Sequence, residues 1–388
     1  MFKPCRRLRR PRLPRLLLLA AFAGCTLAGS ACRAPSRPTL AVSGGSGDAV
    51  LSFAAEEIAA FLGADYAPAE KGREGKADWT LDLAVDGSMA PFSFSVRRRP
   101  GGAAGETTIE LRGHDATGVL HAVYTMLGAA GVVFDVTGPI RPPRVDLGRI
   151  SAAPRLVRPA VERRGIRQHI NFAMDISSYP LEEAKAYLRN LARLRMNYIT
   201  FHSYPGQWYP YSLKGGPALA GNFFYGQRHT LPEDPDLRKV VRNTAEYCIP
   251  EIEPYFNQPE EKSRRAMDWL RAVMAEAKRV GLTVNFSMEL RESDPALSLA
   301  LCETVLRSYP MIDGFELITQ EDSEKPLTEI AYNAKVAAKL REEWKGTKIL
   351  EYGIGVYNTT PEDVKAAFAS IRRVTPPGMH LSVLPAHG

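Results

Sequence analysis

Cysteine is scarce, with five in 388 residues and no C-x-x-C pair. Cys5, Cys25 and Cys32 lie near the N-terminus, leaving Cys248 and Cys302 for a globular part, which excludes a disulfide framework or a zinc finger. Cys302 borders the apolar run Leu297-Ser298-Leu299-Ala300-Leu301 and is expected as a buried free thiol. Nucleotide and hydrolase signatures are missing too. The turn Ser43-Gly44-Gly45-Ser46-Gly47 lacks G-x-G-x-x-G spacing, no Lys-Ser/Thr pair makes it a P-loop, and no G-x-S-x-G elbow occurs. It reads as a tight turn capping a helix. No cofactor and no metal are expected.

Acid is absent from residues 1–24, where Lys3, Arg6, Arg7, Arg9, Arg10, Arg12 and Arg15 supply seven positive charges. Removing those seven from the formal +7 leaves the remainder neutral, so the basicity gives no support to nucleic-acid binding. The apolar run Leu16–Ala23 follows, far short of the roughly 20 residues a bilayer span requires. Basic, apolar and small segments in that order make a secretory signal. Phe22-Ala23-Gly24-Cys25 resembles a bacterial lipobox, with Cys25 as the lipidation site and a membrane contact through the lipid; plain cleavage near Ala31 is the alternative. The expectation is an exported protein, in the periplasm or at the outer membrane as a lipoprotein, or else secreted. No later stretch is apolar enough to cross a membrane.

Residues 25–38 read as a tether. A small α+β domain, residues 39–148, is expected next. Its parts are a strand at Thr39–Val42, a helix from Asp48 to Leu62 and alternating strands at Trp79–Val85 and Phe92–Val96. A strand at Thr108–Gly113 and a helix at Gly118–Leu127 complete it. Arg97-Arg98-Arg99-Pro100-Gly101-Gly102 reads as a basic surface loop. Prolines at 139, 142, 143, 154 and 159 mark residues 149–162 as a linker. From residue 163 to 388 strands alternate with helices, six strands in all: Gly165–Phe172, Asn197–His202, Thr283–Met288, Gly314–Ile318, Lys348–Gly353 and His380–Leu384. Repeated β/α units imply a parallel sheet, here an incomplete TIM-type (β/α) barrel whose remaining units belong to a longer protein. The fold class is therefore α/β.

Carboxylates sit at or after several of these strands: Glu289 and Glu292, Glu316, Glu321-Asp322, and Glu351. Glycoside hydrolysis uses two carboxyl groups, one protonating the leaving oxygen and one acting as base or nucleophile. Glu321, Asp322, Glu289 and Glu351 are the catalytic candidates; ion pairing with arginine is the structural alternative for each. His169 and His202 end neighbouring strands, and a zinc site would need Glu289 as a third ligand. The aromatic stretch after the second strand, with Tyr204 and Trp208, suits packing against sugar rings, or against itself.

The run Ile109-Glu110-Leu111-Arg112-Gly113-His114-Asp115-Ala116-Thr117-Gly118, with the helix that follows to Leu127, resembles the end of the N-terminal domain shared by β-hexosaminidases (glycoside hydrolase family 20) and α-glucuronidases (family 67). Arg164-Gly165-Ile166-Arg167 and Met196–His202 are similar to the first two barrel strands of those families. The resemblance implies a glycosidase with a carbohydrate substrate and a general acid after the fourth strand. Family 20 has Asp-Glu there, whereas this chain has Glu321-Asp322; the lone acid of family 67 matches Glu321 better. Asp322, Glu289 or Glu351 would then assist, and Arg167, His169, His202, Tyr204 and Trp208 would bind sugar. Two rivals are an inactive carbohydrate-binding envelope protein and a metal-dependent hydrolase using His169 and His202. Oligomeric state is not legible.

Overall fold

The computed structural model describes residues 37–385, except 45–46, 71–76, 102–105, 171–174, 205–207, 212–218, 221–250, 256, 291–293, 321–325, 347–350, 360–361, 363–364, 367–368 and 370–378. The chain begins with β1 (Thr39–Ser43), α1 (Ala49–Leu62), β2 (Ala67–Pro68), β3 (Trp79–Val85), β4 (Phe94–Pro100), β5 (Thr107–Gly113) and α2 (Ala116–Ala129). The hairpin β6 (Val133–Asp135) and β7 (Gly138–Ile140) follows, then β8 (Arg155–Val157). These strands build a six-stranded sheet in the order β2-β1-β3-β5-β4-β8, with β6 and β7 paired separately.

Only one face of this first sheet is apolar. Leu81, Leu83, Phe94, Val96, Ile109 and Leu111 alternate along their strands and are buried. Charged residues occupy the other face, where Arg112 pairs with Asp82 and Arg99 reaches Glu110 at 2.8 Å. Glu110 lies opposite Arg97 and binds Arg99, and Arg98 donates to the Gly148 and Ile150 carbonyls, which explains why Arg97–Arg99 extend β4 when their charge alone suggests a loop. Likewise, Arg155–Val157, within the stretch read as a linker, pair antiparallel with Val96–Phe94.

The turn into α2 needs a glycine at 113. Asp115 caps the helix by accepting from the Gly118 amide at 2.7 Å. A Cβ on Gly113 would lie 2.2 Å from the Val119 nitrogen, so the strand can run this close to the helix start only without a side chain.

The second part comprises β9 (Gly165–His169), α3 (Leu181–Arg193), β10 (Tyr198–Ser203), the short β11 (Pro210–Tyr211) and β12 (Leu219–Ala220), α4 (Pro259–Arg279) and β13 (Thr283–Glu289). It ends with α5 (Pro295–Ser308), β14 (Gly314–Ile318), α6 (Pro326–Glu343), β15 (Glu351–Thr359) and β16 (Met379–Pro385). Its six long strands pair in chain order, β9-β10-β13-β14-β15-β16, all parallel. Among the described residues no pairing joins β16 back to β9, so the expected barrel is seen as a curled, open parallel sheet. Cys302 is buried and free, as expected.

Helices α1 and α2 lie against the helices of the second sheet. Arg193 on α3 grips Glu57 on α1 through two hydrogen bonds of 2.7 Å, and the Tyr124 hydroxyl on α2 donates to the same carboxylate at 3.2 Å. At the end of α4, Arg279 reaches Glu56 at 2.8 Å and lies 4.5 Å over the Phe53 ring.

Candidate functional site

A parallel sheet covered on both faces normally reads as an unbroken apolar run. Here β13 alternates instead. Val284, Phe286 and Met288 join the core shared with the helices, whereas Asn285, Ser287 and Glu289 share the opposite, inner face. The neighbours follow suit: Ile199 and Phe201 against Thr200 and His202 on β10, Phe315 and Leu317 against Glu316 on β14. All of these polar residues are buried. Barrel interiors are usually filled by branched apolar side chains; the inner face of this sheet is lined by hydrogen-bonding groups instead.

Register aligns them. His169, His202, Ser287, Glu316, Gly353 and His380 stand side by side across the six strands. Arg167, two residues earlier on β9, donates from Nη1 to Ser287 Oγ at 2.8 Å and from Nη2 to Glu316 Oε2 at 2.5 Å. Ser382 on β16 donates to the other oxygen of Glu316. His202 Nδ1 lies 3.2 Å from Ser287 Oγ. Since the Arg167 guanidinium only donates, Ser287 can pass its own hydrogen to His202, which leaves Nδ1 as acceptor. Burial, reinforced by the charges of Arg167 and His169, holds the His202 imidazole well below the usual histidine range.

Four of the five expected sugar-binding residues gather on or beside this face. The His169 and His202 rings are 4.7 Å apart, Tyr204 stands edge-on to His202 at 5.2 Å, and Arg167 is joined to His202 through Ser287. Trp208 lies elsewhere. It is fully buried 5.6 Å from Trp269 of α4, its indole N–H donates to the Ile170 carbonyl, and its own carbonyl accepts from the Tyr309 hydroxyl.

Among the expected catalytic carboxylates, Glu289 closes β13 with its side chain buried, opposite Ile318 of β14. Glu321, Asp322 and Glu292 lie outside the described residues, as does Cys25. Glu321 directly follows Gln320, whose side chain donates to the Leu290 carbonyl at 3.4 Å, beside Glu289. Glu351 opens β15 four residues before Gly355, the partner of Ile318. That offset is about 13 Å along the strand, so Glu351 and Glu289 occupy opposite ends of the sheet. Among the described residues no group of three or more His, Cys, Asp and Glu is placed to hold a metal ion, which gives the metal-dependent alternative no support.

Ser287, Asn285 and Ser382 went unremarked in the sequence. Their signal was there, in the polar residue at every second position of 283–289 and 380–382, but register was needed to bring them together.

No protein-family model and no curated protein sequence matches the chain. Solved structures do resemble it. A mutant β-hexosaminidase of Streptomyces plicatus with GlcNAc bound superposes with a TM-score of 0.54 at 12% identity, over 90% of this chain and 70% of that one. The GH20 β-N-acetylhexosaminidase of Streptomyces coelicolor A3(2) gives 0.52 at 13%, with 90% and 70% covered. A GH138 enzyme targeting pectin rhamnogalacturonan II gives 0.51 at 13%, over 89% of this chain; the chain spans only 38% of that enzyme's length. At such identities the likeness is one of fold, shared with these glycoside hydrolases.

Proposed function

We propose that the chain is a glycoside hydrolase acting on O-glycosidic bonds of polysaccharides or oligosaccharides, with its reaction centre at the C-terminal end of the second sheet. The observation that carries this is the polar inner face, rising through Arg167, His202 and Ser287 to Glu289 beside the end of β14. In the proposed mechanism Glu321, just past that strand, protonates the leaving oxygen. Glu289 is the second carboxyl group, acting on the sugar or on water, and Asp322 orients the substrate. His169, His202 and Tyr204 line the approach. Glu351, at the other end of its strand, is left without a part in the chemistry.

Curling of the sheet toward a TIM-type barrel is part of the same proposal, supported by Arg163 of the β9 approach meeting His380 of β16 at 3.0 Å. So are the division at residues 149–162 and export with lipid attachment at Cys25, which incorporation of labelled palmitate, lost in Cys25→Ala, would test. The decisive experiment assays the purified chain against a panel of chromogenic glycosides. Glu321→Gln and Glu289→Gln should each lower kcat by about 10²–10⁴-fold on any glycoside that is cleaved. Sugar release unchanged in Glu321→Gln would end the acid assignment, and absence of cleavage across the panel would favour a binding protein.

A further inference from the structure

Ser287 stands in the middle of a chain of hydrogen bonds that crosses the inner face of the second sheet. The chain begins at Glu316, which accepts from Arg167 Nη2 at 2.5 Å through one oxygen and from Ser382 through the other. Held on both sides, this carboxylate aims the guanidinium, and Arg167 Nη1 donates to Ser287 Oγ at 2.8 Å. Ser287 Oγ then meets His202 Nδ1 at 3.2 Å. Strands β16, β14, β9, β13 and β10 each contribute one group.

The direction of each hydrogen follows from the residue at the head of the chain. Arginine keeps its protons and has no lone pair to offer, so Ser287 accepts from Arg167 and cannot donate to it. Among the described residues, the other partner of Ser287 Oγ is His202. Ser287 is completely buried, and a buried hydroxyl hydrogen without an acceptor is costly. Nδ1 of His202 is the acceptor that satisfies it. The histidine is equally buried, and the neighbouring charge of Arg167 opposes a second proton on its ring, so the imidazole is neutral. A neutral imidazole that accepts at Nδ1 carries its one hydrogen on Nε2.

We infer that Ser287 is a positioning residue, which relays the fixed orientation of Arg167 to His202 and holds that histidine as the Nε2–H tautomer. His202 then serves the reaction centre as a donor, and a sugar oxygen or carboxylate that meets Nε2 does so as acceptor. Its place suits this part. Tyr204 stands edge-on to the imidazole at 5.2 Å, and the next inward residue of β13 after Ser287 is Glu289, the carboxyl group assigned to the chemistry. The consequence for catalysis rests on the glycosidase reading, whereas the tautomer does not.

Nitrogen NMR of the full chain carrying isotope-labelled histidine reads the tautomer directly, the His202 signals being those lost in His202→Gln. The unaltered chain should show a bare Nδ1 and a protonated Nε2, without averaging between them. Ser287→Ala should draw both nitrogens toward the averaged positions of a free imidazole. Ser287→Thr, which keeps the hydroxyl on a residue suited to a strand, should restore the original pattern. On a glycoside that is cleaved, kcat/KM should fall about ten-fold in Ser287→Ala, the worth of one hydrogen bond, and recover to within about two-fold in Ser287→Thr. A hydrogen on Nδ1 in the unaltered chain, or a tautomer indifferent to Ser287→Ala, would overturn the assignment. A tautomer that responds while kcat/KM stays constant would make Ser287 a structural hydroxyl and overturn its positioning role. Absence of cleavage across the glycoside panel would remove the glycosidase reading instead, and the spectra would still decide the tautomer.

Discussion

Arg167 on β9 and Glu316 on β14 meet at 2.5 Å although two strands lie between them. In a flat sheet three strand spacings amount to about 14 Å, further than an arginine and a glutamate side chain comfortably bridge. The pair therefore depends on the curl of the sheet and helps to hold it. Its side chains are 18% and 6% exposed. Glu316→Gln keeps the shape but leaves a largely buried guanidinium without its counter-charge, a change that typically costs about 3–5 kcal/mol. The urea midpoint should fall accordingly, and the double variant Arg167→Met, Glu316→Leu should recover much of the loss. A midpoint unmoved in Glu316→Gln would mean that solvent already screens the pair.

Gly353 makes room for that carboxylate. It stands on β15 between Glu316 and His380, and a Cβ there would approach Glu316 Cγ to 3.3 Å and its Cβ to 3.4 Å. Gly353→Ala gains about 0.4–1 kcal/mol from the less flexible unfolded chain, but overpacking of a fitted interior commonly costs about 1–3 kcal/mol. The second effect should win, with net destabilisation of about 1 kcal/mol and displacement of Glu316 from Ser382. In the Ser382→Ala background the penalty should shrink, because the hydrogen bond that fixes Glu316 is already gone. Equal penalties in the two backgrounds would separate Gly353 from this network.

The strands themselves were legible because periodicity is local. Thr283-Val284-Asn285-Phe286-Ser287-Met288-Glu289 announces a strand with two unlike faces, and Gly314–Ile318 was placed to the residue. What its polar face meets is not local. Arg167 and Glu316 are 149 positions apart, and only register shows them paired. The same limit explains the pairings that were not foreseen. Arg97 and Arg99 look like part of a solvated loop until Glu110 lies across from them, and Arg155–Val157, within the expected linker, pair with the edge that β4 offers. Trp208 shows the reverse: an aromatic among aromatics suits a sugar or a core equally, and burial against Trp269 is visible only in three dimensions.

Two buried histidines should shape the acid limb of stability. Burial, aided by the Arg164 charge, lowers the His121 imidazole to about 3, and His202 is displaced in the same direction. Each binds a proton more readily in the unfolded chain, near the ordinary value of about 6.5. Their contribution is thus complete above that pH and declines as the solution is acidified toward 3, by up to about 1.4 kcal/mol per pH unit for each group. His121 Nε2 lies 3.3 Å from the Met196 carbonyl, a contact that an amide side chain could also make. His121→Gln should therefore flatten the fall in urea midpoint between pH 6.5 and 4. An unchanged slope would assign the acid sensitivity to other groups.

Trp208 offers a direct choice between packing and sugar recognition. Its side chain is fully covered, tilted 37° against Trp269, and its N–H is committed to the Ile170 carbonyl at the end of β9. Removing so large a buried ring costs about 3–5 kcal/mol, so Trp208→Ala should lower the urea midpoint sharply. Trp208→Phe refills most of the space and loses chiefly the hydrogen bond, with a cost nearer 1–2 kcal/mol. If the ring serves the core, KM for a cleaved glycoside stays within about two-fold in Trp208→Phe while the midpoint falls. A several-fold rise in KM at an unchanged midpoint would instead require the indole to reach the sugar, in an arrangement that frees it from Trp269.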